Sequence, residues 1–191
     1  MTVIIIDGPA VEPVTVEDLK AHLNVTLDDD DALIADKIRA ARTHIERFAG
    51  IAMIEQTLKL VLDRFPAGFF ALPRPPLLEV VAIGYVDPLL ATQALPAESF
   101  VVRGVGATGY LAPVAGWPRT DLLPGAVEVT FKAGYGQAAE DVPEPLREAV
   151  RQLAAHLYEN REATIVGTSS ANVLPYGVEE LIADYRQWSF G

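Results

Sequence analysis

Ser, His and Asp all occur in the chain, so the first chemistry to test is a hydrolytic triad. No Gly-x-Ser-x-Gly elbow is present, and the three histidines, His22, His44 and His156, all fall inside stretches of helical periodicity with no nucleophile near them in sequence. None belongs to a His-x-x-x-His pair that could hold zinc on one helix face. The run Asp28, Asp29, Asp30, Asp31 has the charge of a calcium loop. It lacks the glycine at the turn position and the bidentate Glu at the twelfth place, and carboxylates gathered before a helix are explained by its dipole. Gly104, Gly106 and Gly109 resemble a phosphate loop only in composition, because the third glycine is displaced and no βαβ unit surrounds them; a hairpin loop fits better. Glu159 and Glu162 sit at a helix end, where charge is ordinarily solvated, and do not make an acid and base pair. No catalytic, cofactor-binding or metal-binding residue is therefore assigned, and no cofactor is expected.

The elements around these residues follow from periodicity. Thr15 reads as an N-cap with Asp18 in the capping-box position, followed by Val16, Leu19 and Leu23 at helical spacing. A long second helix carries Leu33, Ile34, Ile38, Ala41, Ile45 and Phe48 and stops at Gly50. From Gln56 the period becomes two, with Leu58, Leu60 and Leu62 alternating with polar or smaller neighbours, and strand chemistry continues to residue 133. Candidate strands are Phe69 to Leu72, Leu78 to Val86, Phe100 to Arg103 and Val127 to Lys132, antiparallel because no crossover helices separate them. Pro143 and Pro145 then open a third helix with Leu146, Val150, Leu153 and Leu157 on one stripe, ending near Asn160, and Val178 to Gln187 forms a short fourth.

This order predicts an α+β fold, mainly a helical bundle of about four helices with a small antiparallel β insertion between helices 2 and 3. The boundaries are an N-terminal arm with two helices over 1–53, the insertion over 54–137, and the last helices with a C-terminal tail over 138–191.

Composition narrows the function. The 191 residues include no cysteine, which excludes thiol catalysis, thiolate metal sites and disulfides. The opening apolar run Val3 to Ile6 is too short for a signal-peptide core, and no run approaches the roughly 20 residues that span a bilayer, so a soluble protein made in the cytoplasm is expected. A net charge of −11 argues against gripping nucleic acid, since affinity for DNA comes mainly from Lys and Arg neutralising phosphates. It is compatible with a wall past which DNA must slide. Aromatic residues in segments that a lone domain would not be expected to bury, Phe69, Phe70, Trp117, Trp188 and Phe190, point to partner contacts.

Five segments in order resemble the phage head–tail connector or adaptor proteins of the HK97-like and phiE125-like type, which include the adaptors of gene transfer agents. They are Asp-Asp-Ala-Leu-Ile (30–34) with Ala-Ala-Arg-Thr-His-Ile-Glu (40–46); Leu-Pro-Arg-Pro-Pro-Leu (72–77) with Tyr-Val-Asp (85–87); Lys-Ala-Gly-Tyr-Gly (132–136); Val-Pro-Glu-Pro-Leu-Arg (142–147) through Ala-His-Leu-Tyr-Glu-Asn-Arg-Glu (155–162); and Leu-Pro-Tyr-Gly-Val (174–178) with Tyr-Arg (185–186). The resemblance implies a four-helix framework with a β insertion and a virion structural protein, not an enzyme. It implies a ring of roughly twelve copies in the particle's neck, with the portal protein on one side, a stopper or tail protein on the other, and double-stranded DNA passing through without specific binding. No membrane partner is implied. Within that scheme Tyr185, Trp188 and Phe190 are the expected portal-docking residues, and Arg74, Pro75, Pro76 and Trp117 the expected subunit or tail-side contacts. The alternatives are a stopper or tail-completion protein in the next ring and, more remotely, a small soluble enzyme using paired carboxylates.

Overall fold

The computed structural model describes residues 1–160 and 176–187. The chain divides into two compact units: a sheet unit of residues 1–10 and 54–137, and a helical unit of residues 11–53 and 138–191.

In the helical unit the local signals act as read. Helix α1 (Val16–Leu23) starts on the capping box, in which the Asp18 amide donates to Thr15 Oγ1 at 3.0 Å and the Thr15 amide to Asp18 Oδ2 at 3.4 Å. It stops where Asn24 turns left-handed. Helix α2 (Asp31–Ala49) buries Ile34, Ile38, Ala41, Ile45 and Ala49 on one stripe and ends at Gly50, whose φ of 72° suits a residue without Cβ. Helix α3 (Glu144–Glu159) begins with proline in its first turn and buries Leu146, Ala149, Val150, Leu153, Ala154 and Ala155. The two stripes pack on each other, α1 touches both helices, and α4 (Tyr176–Ile182) lies on α3 with Val178 and Ile182 buried. A single turn of 3-10 helix, Ala183–Tyr185, replaces the last turns expected of the fourth helix.

The acidic run before α2 is held by side chains from α1 and α3. Asp30 stands at the N-cap position without a side-chain cap bond, while Lys20 Nζ ties Asp28 at 2.6 Å and Asp31 at 2.7 Å. Asp30 instead accepts the Tyr158 hydroxyl from α3.

The expectation of a mainly helical bundle with a small insertion is wrong. Beside four α-helices, the described residues hold eight strands in two antiparallel sheets. They are β1 (Thr2–Asp7), β2 (Gln56–Leu62), β3 (Phe70–Ala71), β4 (Leu77–Val86), β5 (Thr92–Ala94), β6 (Phe100–Arg103), β7 (Tyr110–Pro113) and β8 (Val127–Ala133). The larger sheet has the order β1-β2-β8-β4-β5 and the smaller β3-β7-β6. What was read as an arm is β1, paired in register with β2 from Thr2↔Val61 to Ile5↔Leu58. Its signal was missed because Val3 to Ile6 do not alternate. At a sheet edge both faces of a strand are only partly covered, so selection for alternation is weak. β5 is short and polar and β7 follows a glycine-rich loop, so neither carries the period of two.

Leu58, Leu60 and Leu62 of β2 face Phe131, Val129 and Val127 of β8 as direct cross-strand partners, and all six are buried. Ile83 of β4 pairs with Val129 and joins them. The opposite face is polar, with Lys59 Nζ on Glu128 at 2.8 Å and Lys132 Nζ on Glu79 at 2.7 Å.

Candidate functional site

The three histidines, His22, His44 and His156, are exposed on helix surfaces. Among the described residues no three His, Asp or Glu side chains are grouped so as to hold a metal ion. No described helix is long and apolar enough to cross a membrane. An open concavity of about 430 Å³ in the sheet unit, lined by Asp7, Glu55, Thr57 and Gln137 among others, contains two carboxylates, and Glu55 lies 3.7 Å from Lys132 Nζ. The hydrogen bond that this lysine donates to Glu79, more than the carboxylate's charge, holds the ammonium pKa above its ordinary value.

The geometry that stands out is made of surfaces and joints. Two of the segments that carried the resemblance, 72–77 and 132–136, meet in space. The Gly134 amide donates to Pro76 O at 2.9 Å and the Glu55 amide to Gly136 O at 2.7 Å. Gly134 has φ 138°, and a Cβ there would stand 2.5 Å from the Glu55 nitrogen and the Ile54 carbonyl carbon. Only glycine fits that crossing. Pro75 and Pro76, joined by a cis peptide bond, are buried within this joint, whereas Arg74 is half-buried at φ 62°. Of the proposed contact residues in this loop, the two prolines therefore shape it and Arg74 faces outward in part.

Trp117 is fixed by its own unit. Its indole stacks on Phe65 with centroids 4.7 Å apart and planes 3° from parallel, leans on Phe70 at 5.6 Å, and donates through Nε1 to Gly68 O at 2.6 Å. Tyr85 meets the edge of Phe65, and Phe69, 68% exposed, meets Tyr110 at 6.1 Å. Sequence reasoning named Trp117 and the Phe69-Phe70 pair but missed Phe65, four residues before Phe69, and Tyr85 and Tyr110, whose ring contacts no local pattern signals. A rigid aromatic surface of this kind is what a protein partner can dock on without ordering side chains first.

Of the portal-docking candidates, Tyr185 is half-buried, and Trp188 and Phe190 lie outside the described residues. The segment leading to them is anchored on α2: the Gln187 amide donates to Ala49 O at 2.8 Å, and the Arg186 guanidinium lies 4.6 Å from the Phe48 ring centroid. A further tie in the helical unit is Arg42, whose Nε donates to Glu12 at 2.6 Å and whose Nη1 donates to Glu46 at 2.8 Å. Burial works against its charge, but the two carboxylates outweigh that and leave the guanidinium pKa raised.

Charge is unevenly divided. The sheet unit has eight acidic against six basic side chains, net −2; the helical unit has eighteen against nine, net −9.

No curated protein sequence matches the chain. Solved structures do. A chain in the neck of an empty gene transfer agent (GTA) particle, computed with C6 symmetry, is 25% identical, superposes with a TM-score of 0.80, and the match covers 100% of this chain and 99% of that one. Chains in the virion of a native GTA particle (TM-score 0.82) and in the neck of a native GTA particle computed with C12 symmetry (0.79) match with the same identity and coverage. The family model for phage gp6-like head-tail connector proteins matches residues 13–68 and 119–186, which include α1 to α3, β2 and β8 and leave out β3 to β7. With most of its length matched in this way, the chain belongs to the phage gp6-like head-tail connector protein family.

Proposed function

We propose that this connector is the head–tail adaptor of a tailed phage or gene transfer agent particle: a ring of roughly twelve copies in the neck, seated on the portal, extending the DNA channel towards the stopper or tail. The observation that carries this reading is the likeness, end to end, to chains of gene transfer agent necks, one of them computed with C12 symmetry. The charge supports it. A helical unit of net −9 repeated around a channel keeps duplex DNA off the wall. With a Debye length of about 8 Å at physiological salt, that repulsion acts only at close approach, as free passage in packaging and ejection requires.

Portal docking is assigned to the C-terminal segment with Tyr185, Trp188 and Phe190, because a short aromatic tail can fill a pocket on a neighbouring ring. Subunit or tail-side contacts are assigned to the loop of Arg74, shaped by Pro75 and Pro76, and to the aromatic surface around Trp117.

The test is to mix purified protein with portal-bearing, tailless heads and image the portal vertex by electron microscopy. A new ring outside the portal is expected, and its loss on deleting Trp188 to Gly191 from a folded protein supports the docking assignment; unchanged association sinks it. An Arg74→Glu variant that assembles and joins tails normally removes Arg74 from the contact set. Density that forms only when another ring is already in place makes this protein a stopper instead.

A further inference from the structure

Two copies that each carry −11 repel one another, so their contact should fall where the surface is apolar and uncharged. The sheet unit offers two such strips, at opposite edges of its larger sheet. One is β1, the outermost strand: residues 2–6 carry no ionisable side chain, and Ile4, Ile5 and Ile6 are 44%, 61% and 49% exposed. Residues 2–6 contain no lysine or proline, and among the described residues no further strand pairs with this edge, although natural proteins ordinarily protect one so apolar. The other is β5 with the turn before it. Residues 88–97 carry no ionisable side chain, and Leu89 and Leu90 are 87% and 66% exposed. The turn is held rigid by Asp87, whose Oδ1 accepts the amides of Leu89 and Ala91 at 2.8 and 3.0 Å. The Asp87 amide donates to Ala91 O and the Leu95 amide to Ile83 O, so residues 91 and 95 face β4, and the backbone groups of Thr92 and Ala94 point outward.

We infer that the free edge of β1 in one copy docks on the free edge of β5, with Leu89 and Leu90, in the next copy, continuing the sheet from subunit to subunit around the ring. This rests on the ring reading proposed above. A cyclic ring needs two different, complementary patches on opposite flanks of each copy, and these edges supply them. The five strands alternate in direction, so β1 and β5 run the same way. Copies related by the small rotation of a twelvefold ring therefore meet in a parallel pair.

The cysteine-free chain allows a direct test. Each of Ile4, Ile5 and Ile6 is combined in the full chain with Thr92 or Ala94, both residues changed to cysteine. Four strand spacings, roughly 19 Å, separate β1 from β5 within a copy, too far for an internal disulfide. After addition to portal-bearing, tailless heads and oxidation, denaturing gels should show a ladder of covalent multimers in at least one register, while single-cysteine variants stay monomeric. An Ile5→Lys variant, changed at an exposed position, should fold normally and lose the ring. Rings visible by microscopy with no ladder from any pair, or intact rings with Ile5→Lys, overturn the edge contact and leave the adaptor reading standing. Failure of the unmodified chain to form any ring overturns both.

Discussion

Replacing Arg42 by Met tests whether the buried ion pair organises the helical unit. The side chains of Arg42 and Glu46 are 9% and 7% exposed, and that of Glu12 26%. Losing the guanidinium leaves Glu46 charged and buried, with the Met53 amide, 2.8 Å from its Oε1, as a remaining donor. Breaking a buried pair from one side costs about 3–5 kcal/mol. Glu12, partly exposed, rehydrates and adds only the ~0–1 kcal/mol of a surface pair, and Met fills much of the vacated volume. A loss near ~3 kcal/mol is expected. With a urea slope of ~1–3 kcal/mol/M, this moves the midpoint of the 222 nm helical signal by ~1–3 M. The double variant Arg42→Met/Glu46→Gln removes the stranded charge while its amide oxygen still accepts from Met53, so most of the loss should return. A single variant costing under ~1 kcal/mol, or a double variant as costly as the single, refutes the reasoning.

Gly134→Ala forces a Cβ to within 2.5 Å of the backbone at residues 54 and 55, with φ 138° besides. A loss of at least ~2 kcal/mol in thermal or urea unfolding is expected, against under ~0.5 kcal/mol for Gly8→Ala, where a Cβ meets nothing within 4 Å. Equal effects would show that the crossing of the 72–77 and 132–136 segments is not tight. Asp87 is held below the usual carboxylate range by the hydrogen bond from Gln93, then by the amides of Ala91 and Leu89. Its folded pKa is depressed, so its contribution to the β4–β5 turn is present above the unfolded value of about 3.9 and is lost as pH falls through the folded one. The amide signals of Leu89 and Ala91 should titrate in NMR with a midpoint below 3.9; a midpoint at or above it contradicts the turn geometry.

Much of the site was partly legible. Trp117 and Arg74 were named from their place in Gly- and Pro-rich loops, where exposure is the rule. Phe65, which stacks on Trp117, and Tyr85, which meets the edge of Phe65, were not, because those contacts form only through the sheet unit's folding. Pro75 and Pro76 looked like contact residues in sequence, yet the hydrogen bond from Gly134 to Pro76 O, made across some sixty residues, draws them inside. The exposed Ile4 to Ile6 and Leu89-Leu90 were passed over, since apolar residues in short runs look the same in sequence whether they end in a core or on an edge.

By itself the sequence determined α1, α2 and α3, their caps at Thr15 and Gly50 and the proline entry to α3. Helix bonds join residues four apart, so their signals are local and complete within a short window. It also determined the charge, the lack of thiol chemistry and the family likeness. Tertiary structure alone decided that residues 2–7 are a strand and not an arm, that β2 lies beside β8, and that one sheet ends, among the described residues, in two apolar edges. Strand pairing joins segments tens of residues apart, and an edge strand is defined by the neighbour it lacks, which no local window contains.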